Sequence, residues 1–123
     1  MRMVAATLAT LALGGAGTLH VTFTGSGHAP KINKHWPFSV KATVGGKPAK
    51  AKLTMQIVDP IGGVHPVERG PSTQLIRNWP FTGVYRDYMI FPLSSRDITL
   101  KLRATVTSGT QKRIVTYVVT PHS

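Results

Sequence analysis

Apolar and polar side chains alternate one by one over the second half of this chain. Between residues 98 and 107 the even-numbered positions are apolar and the odd-numbered positions are threonine, lysine or arginine. A period of two is typical of a half-buried strand, because successive side chains leave opposite faces of a sheet. Ser108-Gly109-Thr110 then supplies a tight turn, and residues 111–119 are again rich in β-branched and aromatic side chains. Residues 98–119 therefore predict a β-hairpin.

The tight turn also predicts the register of this hairpin. A two-residue loop pairs even-numbered residues of the first strand with odd-numbered residues of the second. One apolar face is then expected to carry Leu100, Leu102 and Ala104 beside Val115, Tyr117 and Val119.

The same alternation predicts further strands upstream, at residues 18–24, 36–44, 50–57 and 85–91, with shorter candidates at 64–67 and 74–77. Residues 59–73 show no clear pattern, and Asp59-Pro60 is expected to shape a turn there. An irregular connection of this length is either functional or hides an element. No segment after the N-terminal leader has a helical period, so the fold class is all-β.

About seven short strands separated by turn signals predict an antiparallel two-sheet β-sandwich of the immunoglobulin-like kind. Without cysteine, its stability depends on packing alone. The expected core is Phe38, Val40, Leu53, Met55, Ile57, Leu100, Leu102, Val115 and Tyr117.

The first residues have the layout of a secretory signal peptide. Arg2 precedes a short uncharged run, and small residues follow at Gly14 and Ala16, where a signal peptidase requires them. The run is shorter than the roughly 20 residues that cross a bilayer. We expect a signal peptide at residues 1–16, a single domain at 17–123, and a secreted or extracytoplasmic protein without a membrane span.

The net charge of the chain adds a prediction about its partner to the predicted fold. The chain has 15 Lys and Arg against 4 Asp and Glu, a formal net charge of +11. Such an excess favours an anionic partner, although it could equally serve only to keep an exported protein soluble. The residues expected on one solvent-facing sheet surface, and therefore predicted to contact an anion, are Lys50, Lys52, Lys101, Arg103 and Lys112.

Two aromatic-proline clusters are candidate contact surfaces, because aromatic side chains are enriched at binding hot spots. They are Trp36-Pro37-Phe38 and Trp79-Pro80-Phe81. Trp36 is expected in the core, whereas Trp79 and Phe81 border the irregular segment and are the possible contact residues.

Enzymatic chemistry finds no support in the sequence. No serine lies in a Gly-x-Ser-x-Gly setting, and the four carboxylates are scattered. An envelope hydrolase is therefore disfavoured. A metal-binding sandwich of the copper-handling type, with His28, His35 or His65 as ligands, is the alternative function. No His-x-His or His-x₃-His pair supports it.

Several short motifs carry a resemblance over nearly all of residues 17–123. They are Trp36-Pro37-Phe38-x-Val40, the Gly46-Lys47-Pro48 turn, Phe91-Pro92 at a strand end, and a last hairpin ending near Pro121. In their order and spacing the chain resembles the small secreted immunoglobulin-like domains of actinobacterial and other bacterial exported proteins. The resemblance implies a non-enzymatic module outside the cytoplasm.

The expected function is thus a binding or structural module at the cell envelope, with no required cofactor. Its partner would be an anionic envelope polymer or another envelope protein. Nucleic acid is disfavoured, because the leader predicts export and no nucleic-acid-binding motif is present.

Overall fold

The computed structural model describes residues 17–123, which form an all-β fold of two antiparallel sheets. The predicted signal peptide, residues 1–16, lies outside the described residues. The strands are β1 (Leu19–Gly25), β2 (His35–Val44), β3 (Lys47–Pro48), β4 (Lys50–Val58), β5 (Val64–Pro66), β6 (Trp79–Thr82), β7 (Val84–Ile90), β8 (Leu100–Ser108) and β9 (Gln111–Val119). A 3-10 turn at Leu93–Ser95 joins β7 to β8. Within residues 17–123 no helix has the length and apolar character needed to cross a bilayer.

Each sheet is built around one long strand. In the first sheet β8 pairs with β9 on one side and β4 on the other, and β5 and β6 both pair along the far edge of β4. In the second sheet β2 pairs with β1 on one edge, and with β7 and β3 on the other. All of these pairings are antiparallel.

The predicted register of the β8–β9 hairpin is confirmed. Leu102 lies opposite Tyr117 and Ala104 opposite Val115, on the face turned to the other sheet. Gly109 occupies the turn with a φ of 58°, a left-handed conformation that glycine adopts without steric cost. The turn residues therefore fix which side chains of both strands reach the core.

The core fills the space between the sheets with side chains from both. Leu53, Leu102 and Val106 of the first sheet and Val40 and Ala42 of the second are completely buried. Of the predicted core, six residues are buried, and Ile57, Val115 and Tyr117 are half-buried against them. Buried residues that the alternation did not single out as core include Leu19, Ile76 and Phe91.

The irregular segment between β5 and β6 closes one side of the first sheet. The expected strand at residues 74–77 does not form. Instead, the N–H of Ile76 donates to Val67 O at 2.8 Å, and the N–H of Met55 donates to Ile76 O at 3.0 Å. Ile76 therefore fills the gap along β4 between β5 and β6. The 79–82 stretch, interpreted above only as an aromatic cluster, is strand β6.

Side-chain hydrogen bonds from Gln111 join the two sheets at their edge. Its Oε1 accepts from the N–H of Leu19 at 2.8 Å, and its Nε2 donates to Gly17 O at 2.9 Å. A Cβ on Gly17 would overlap the backbone of Gly45, so Gly17 lies directly against the β2–β3 turn. The start of β1 is thereby attached both to β9 and to this turn.

The two ends of the molecule differ. We call the end that carries the tight turns at Gly45-Gly46, Gly83 and Gly109 the turn end. The opposite end, which we call the loop end, carries residues 26–34, 59–63 and 91–99 and the C-terminal residues. Backbone hydrogen bonds tie these loops together, including Thr120 N to His28 O at 2.8 Å and Asp97 N to Pro121 O at 2.7 Å.

Candidate anion-binding face

The five basic residues singled out from the sequence all project from the outer face of the first sheet. Lys50 and Lys52 belong to β4, Lys101 and Arg103 to β8, and Lys112 to β9. In β4 and β8 they occupy the positions between the buried residues, and Lys112 shares their face because it lies opposite Thr107 of β8. The four lysines are exposed and Arg103 is half-buried.

Strand register brings three of the five together. Lys52 and Lys112 both lie opposite Thr107, one on each side of β8. Their Cα atoms are therefore about 10 Å apart, twice the spacing of neighbouring strands. Lys50 follows on the same face of β4, about 7 Å further along the strand. We call Lys50, Lys52 and Lys112 the lysine cluster; it lies at the turn end.

A shallow concavity of about 530 Å³ lies beside two of these lysines. Its lining is Lys50, Ala51, Lys52, Pro80, Phe81, Thr82, Thr107, Ser108 and Gly109. The hydroxyl of Ser108 donates to Lys50 O at 2.7 Å, which joins the β8–β9 turn to the start of β4. The depression therefore offers two ammonium groups and two threonine hydroxyls on a backbone held by hydrogen bonds.

The other two basic residues lie further along the same face. Arg103 donates to Gln56 Oε1 from Nε at 3.2 Å and from Nη2 at 2.8 Å, so its guanidinium already has a neutral partner. Lys101 lies opposite Val58. It is six residues along β8 from Thr107, which corresponds to about 20 Å. The structure thus separates Lys101 from the lysine cluster.

No carboxylate competes for the lysine cluster. The chain has four acidic residues, Asp59, Glu68, Asp87 and Asp97, and all four are within the described part. Asp59 and Asp97 belong to loops of the loop end, Glu68 to the segment after β5, and Asp87 to the inward face of β7. The outer face of β4, β8 and β9 carries positive charge only.

The aromatic candidates of β6 pack inward rather than projecting from this face. Trp79 lies opposite Leu53 and Phe81 opposite Ala51, and both rings are half-buried against the core. The guanidinium of Arg69 lies over the Trp79 ring, 4.0 Å from its centroid. Phe81 meets the ring of Tyr85 edge-on at 6.2 Å. Phe81 alone of the two borders the concavity.

A half-buried polar cluster anchors the irregular segment, and no pattern in the sequence indicated it. Tyr85 donates to Asp87 Oδ2 at 2.6 Å, while the N–H of Gly70 donates to Asp87 Oδ1 at 3.2 Å. Burial, together with this bond to Asp87, raises the pKa of Tyr85 to about 12. Arg69 Nε is buried without a hydrogen-bond partner among the described residues. The bond from Gly70 to Asp87 holds this part of the segment against β7.

The three candidate metal ligands have other neighbours. The ring of His28 stacks on Tyr117 with centroids 4.2 Å apart, and its Nδ1 lies 2.6 Å from Val118 O. His35 stacks on Tyr88 at 3.9 Å. His65 Nε2 lies 2.8 Å from Asp59 Oδ2. Across residues 17–123, no three metal-ligating side chains come close enough together to hold an ion.

Comparison of this chain with protein-family models, with curated proteins and with solved structures finds no match. The binding properties of the lysine cluster are therefore inferred from its own charges and geometry.

Proposed function

We propose that this protein is a secreted, non-enzymatic immunoglobulin-like module of the cell envelope that contacts an anionic polymer through the lysine cluster. The single observation that carries the proposal is the placement of Lys50, Lys52 and Lys112 on the outer face of β4, β8 and β9, which has no acidic side chain; Lys50 and Lys52 also line the concavity there.

Strand order supports the immunoglobulin-like assignment. Immunoglobulin domains place strands A, B and E in one sheet and C, F and G in the other. With β1, β2 and β7 as A, B and E, and with β4, β8 and β9 as C, F and G, the present sheets follow the same order. The short strands β3, β5 and β6 are additions along the edges of β2 and β4.

The exposure and spacing of the lysine cluster favour binding of a polymer with repeated charges over binding of a small anion. Exposed ammonium groups are individually weak partners, because water and salt screen each of them. Three of them, spaced about 7 and 10 Å apart on a rigid sheet, can contact successive charges of one chain at once. The export predicted from residues 1–16 would bring the module to the acidic polymers of an envelope.

The experiment compares two triple charge reversals with equal net charge. One variant reverses the lysine cluster, K50E/K52E/K112E. The matched control reverses three exposed lysines of the loop end, K31E/K34E/K101E. Binding of residues 17–123 to inorganic polyphosphate is measured over a series of salt concentrations. We expect the cluster variant to lose at least about tenfold in affinity, because three attractions become repulsions, and the control to lose much less.

An equal loss in both variants would contradict the proposal. It would mean that affinity follows net charge alone and that the positive charge serves solubility. Unfolding midpoints of both variants should stay close to that of the unmodified domain, because all six side chains are exposed.

A further inference from the structure

Exposed apolar side chains gather at the loop end, away from the lysine cluster. Among the described residues, seven large hydrophobic side chains are substantially exposed, and Ile114 in the middle of β9 is one of them. The other six lie on or beside the loops of the loop end: Ile61, Val64, Ile90, Leu93, Ile98 and Val118. Exposed apolar groups concentrated on one part of a monomer mark an interaction surface.

Ile61 is the most exposed of the six, at 94%, and its position is fixed by the hairpin turn that carries it. Asp59 Oδ1 accepts hydrogen bonds from the N–H groups of Ile61 at 3.0 Å and Gly63 at 2.8 Å. The backbone adds a bond from Asp59 N to Gly63 O at 2.9 Å. The turn therefore presents an isoleucine where hairpin turns usually carry polar residues.

Most of the charged side chains around this apolar group are positive. Lys31, Lys34 and Lys101 are exposed there, and none of them forms an ion pair within the described part of the chain. The two carboxylates of the loop end have basic neighbours: Asp59 lies 2.8 Å from His65 Nε2, and Asp97 lies 3.9 Å from Arg96 Nε. The loop end thus combines apolar side chains with unpaired ammonium groups.

We propose that the loop end docks on the surface of a lipid bilayer containing anionic lipids, with Ile61 inserted among the lipids. A projecting side chain, with other apolar groups on separate elements around it, fits a deformable surface that closes over each of them. Lysines around an inserted apolar group are attracted to anionic headgroups, and the two contributions add. This docking surface is separate from the lysine cluster, which lies at the opposite end of the molecule.

The test measures co-sedimentation of residues 17–123 with vesicles. One set contains phosphatidylcholine alone, and the other contains phosphatidylcholine with phosphatidylglycerol. We expect binding to the second set and much weaker binding to the first. Ile61→Ser should reduce the partition coefficient by about tenfold, because burial of the isoleucine side chain is lost. Ile114→Ser, at the exposed isoleucine in the middle of β9, is the matched control and should bind like the unmodified domain.

The K50E/K52E/K112E variant separates this proposal from the preceding one. It should lose polyphosphate binding but keep most of its vesicle binding. Failure of the unmodified domain to bind anionic vesicles, or equal binding by Ile61→Ser, would overturn the bilayer proposal. A loss of vesicle binding in the lysine variant alone would overturn it too, because the lipid would then be bound at the turn end.

Discussion

Asp59 is the residue on which the β4–β5 hairpin tip depends. Its carboxylate accepts from two backbone N–H groups of the turn and lies 2.8 Å from the His65 ring. The contact with His65 and the bond from Gly63 lower the pKa of Asp59 below its ordinary value of 3.8. The turn-shaping role expected for Asp59 from its place before Pro60 is confirmed.

The lowered pKa gives this turn a defined pH dependence. The contribution of the Asp59 charge to stability is fully present above pH 3.8, the ordinary value, and is lost as the pH falls through the lowered pKa. Asp59→Asn keeps an acceptor for the turn but removes the charge. We expect this variant to unfold at a lower temperature than the unmodified domain at neutral pH. The difference between the two unfolding temperatures should shrink to near zero in acid. Thermal unfolding followed by circular dichroism measures this difference.

Asp97→Asn is a suitable control for that series. The Asp97 carboxylate is exposed and accepts no hydrogen bond from the described residues, and asparagine also tolerates the φ of 63° found there. If the unfolding temperature of Asp59→Asn stayed below that of the unmodified domain by the same amount at every pH, the charge of Asp59 would not contribute to stability.

The turn-shaping role of Asp59 was predictable because its bonds to the turn are local, within four residues. The Tyr85–Asp87–Gly70 hydrogen bonds were not predictable, because they join distant parts of the chain. Gly70 is 17 residues from Asp87 and lies in a segment without periodicity. Only the way that this segment packs on β7 brings the groups together.

At the scale of elements, strands were predictable where one face is buried and the other is exposed to solvent. Strands β4, β8 and β9 begin and end within two residues of their predicted bounds, because β4 and β8 alternate strictly and β9 follows a clear turn with a run of β-branched and aromatic residues. Strand β6 was missed because it is four residues long and contains Pro80, which a central strand excludes. It pairs only with β4, along an edge where that proline is tolerated.

The hairpin of β8 and β9 provides a direct test of the inward face. Leu102 is completely buried between the sheets, whereas Thr105 of the same strand projects from the outer face. Leu102→Ala should lower the free energy of unfolding by roughly 2–5 kcal/mol, because it removes buried methyl groups and leaves a cavity. Thr105→Ala should cost under about 1 kcal/mol, the range of strand propensity.

Urea denaturation of both variants measures these two values. A comparable loss for Thr105→Ala would mean that the face assigned to solvent is itself buried in solution.

At the scale of the whole molecule, the two ends have different surface chemistry. The turn end carries the lysine cluster, and the loop end carries most of the exposed apolar side chains. The sequence could predict that the basic residues of three strands share one face, since alternation fixes faces. It could not predict which of them are neighbours along that face. Lys52 and Lys112 are 60 positions apart in the chain. They lie on the same part of the face only because both pair with Thr107, one on each side of β8.

The hydrogen bonds of Gln111 to Gly17 and Leu19 bear on when a leader ending at residue 16 could be removed. If a peptidase cuts after Ala16, the bond that it hydrolyses adjoins a residue held against both β9 and Gly45. A protease cleft has to surround several extended residues on either side of the cut. Cleavage at that bond would therefore have to precede the docking of Gly17 against β9 and Gly45.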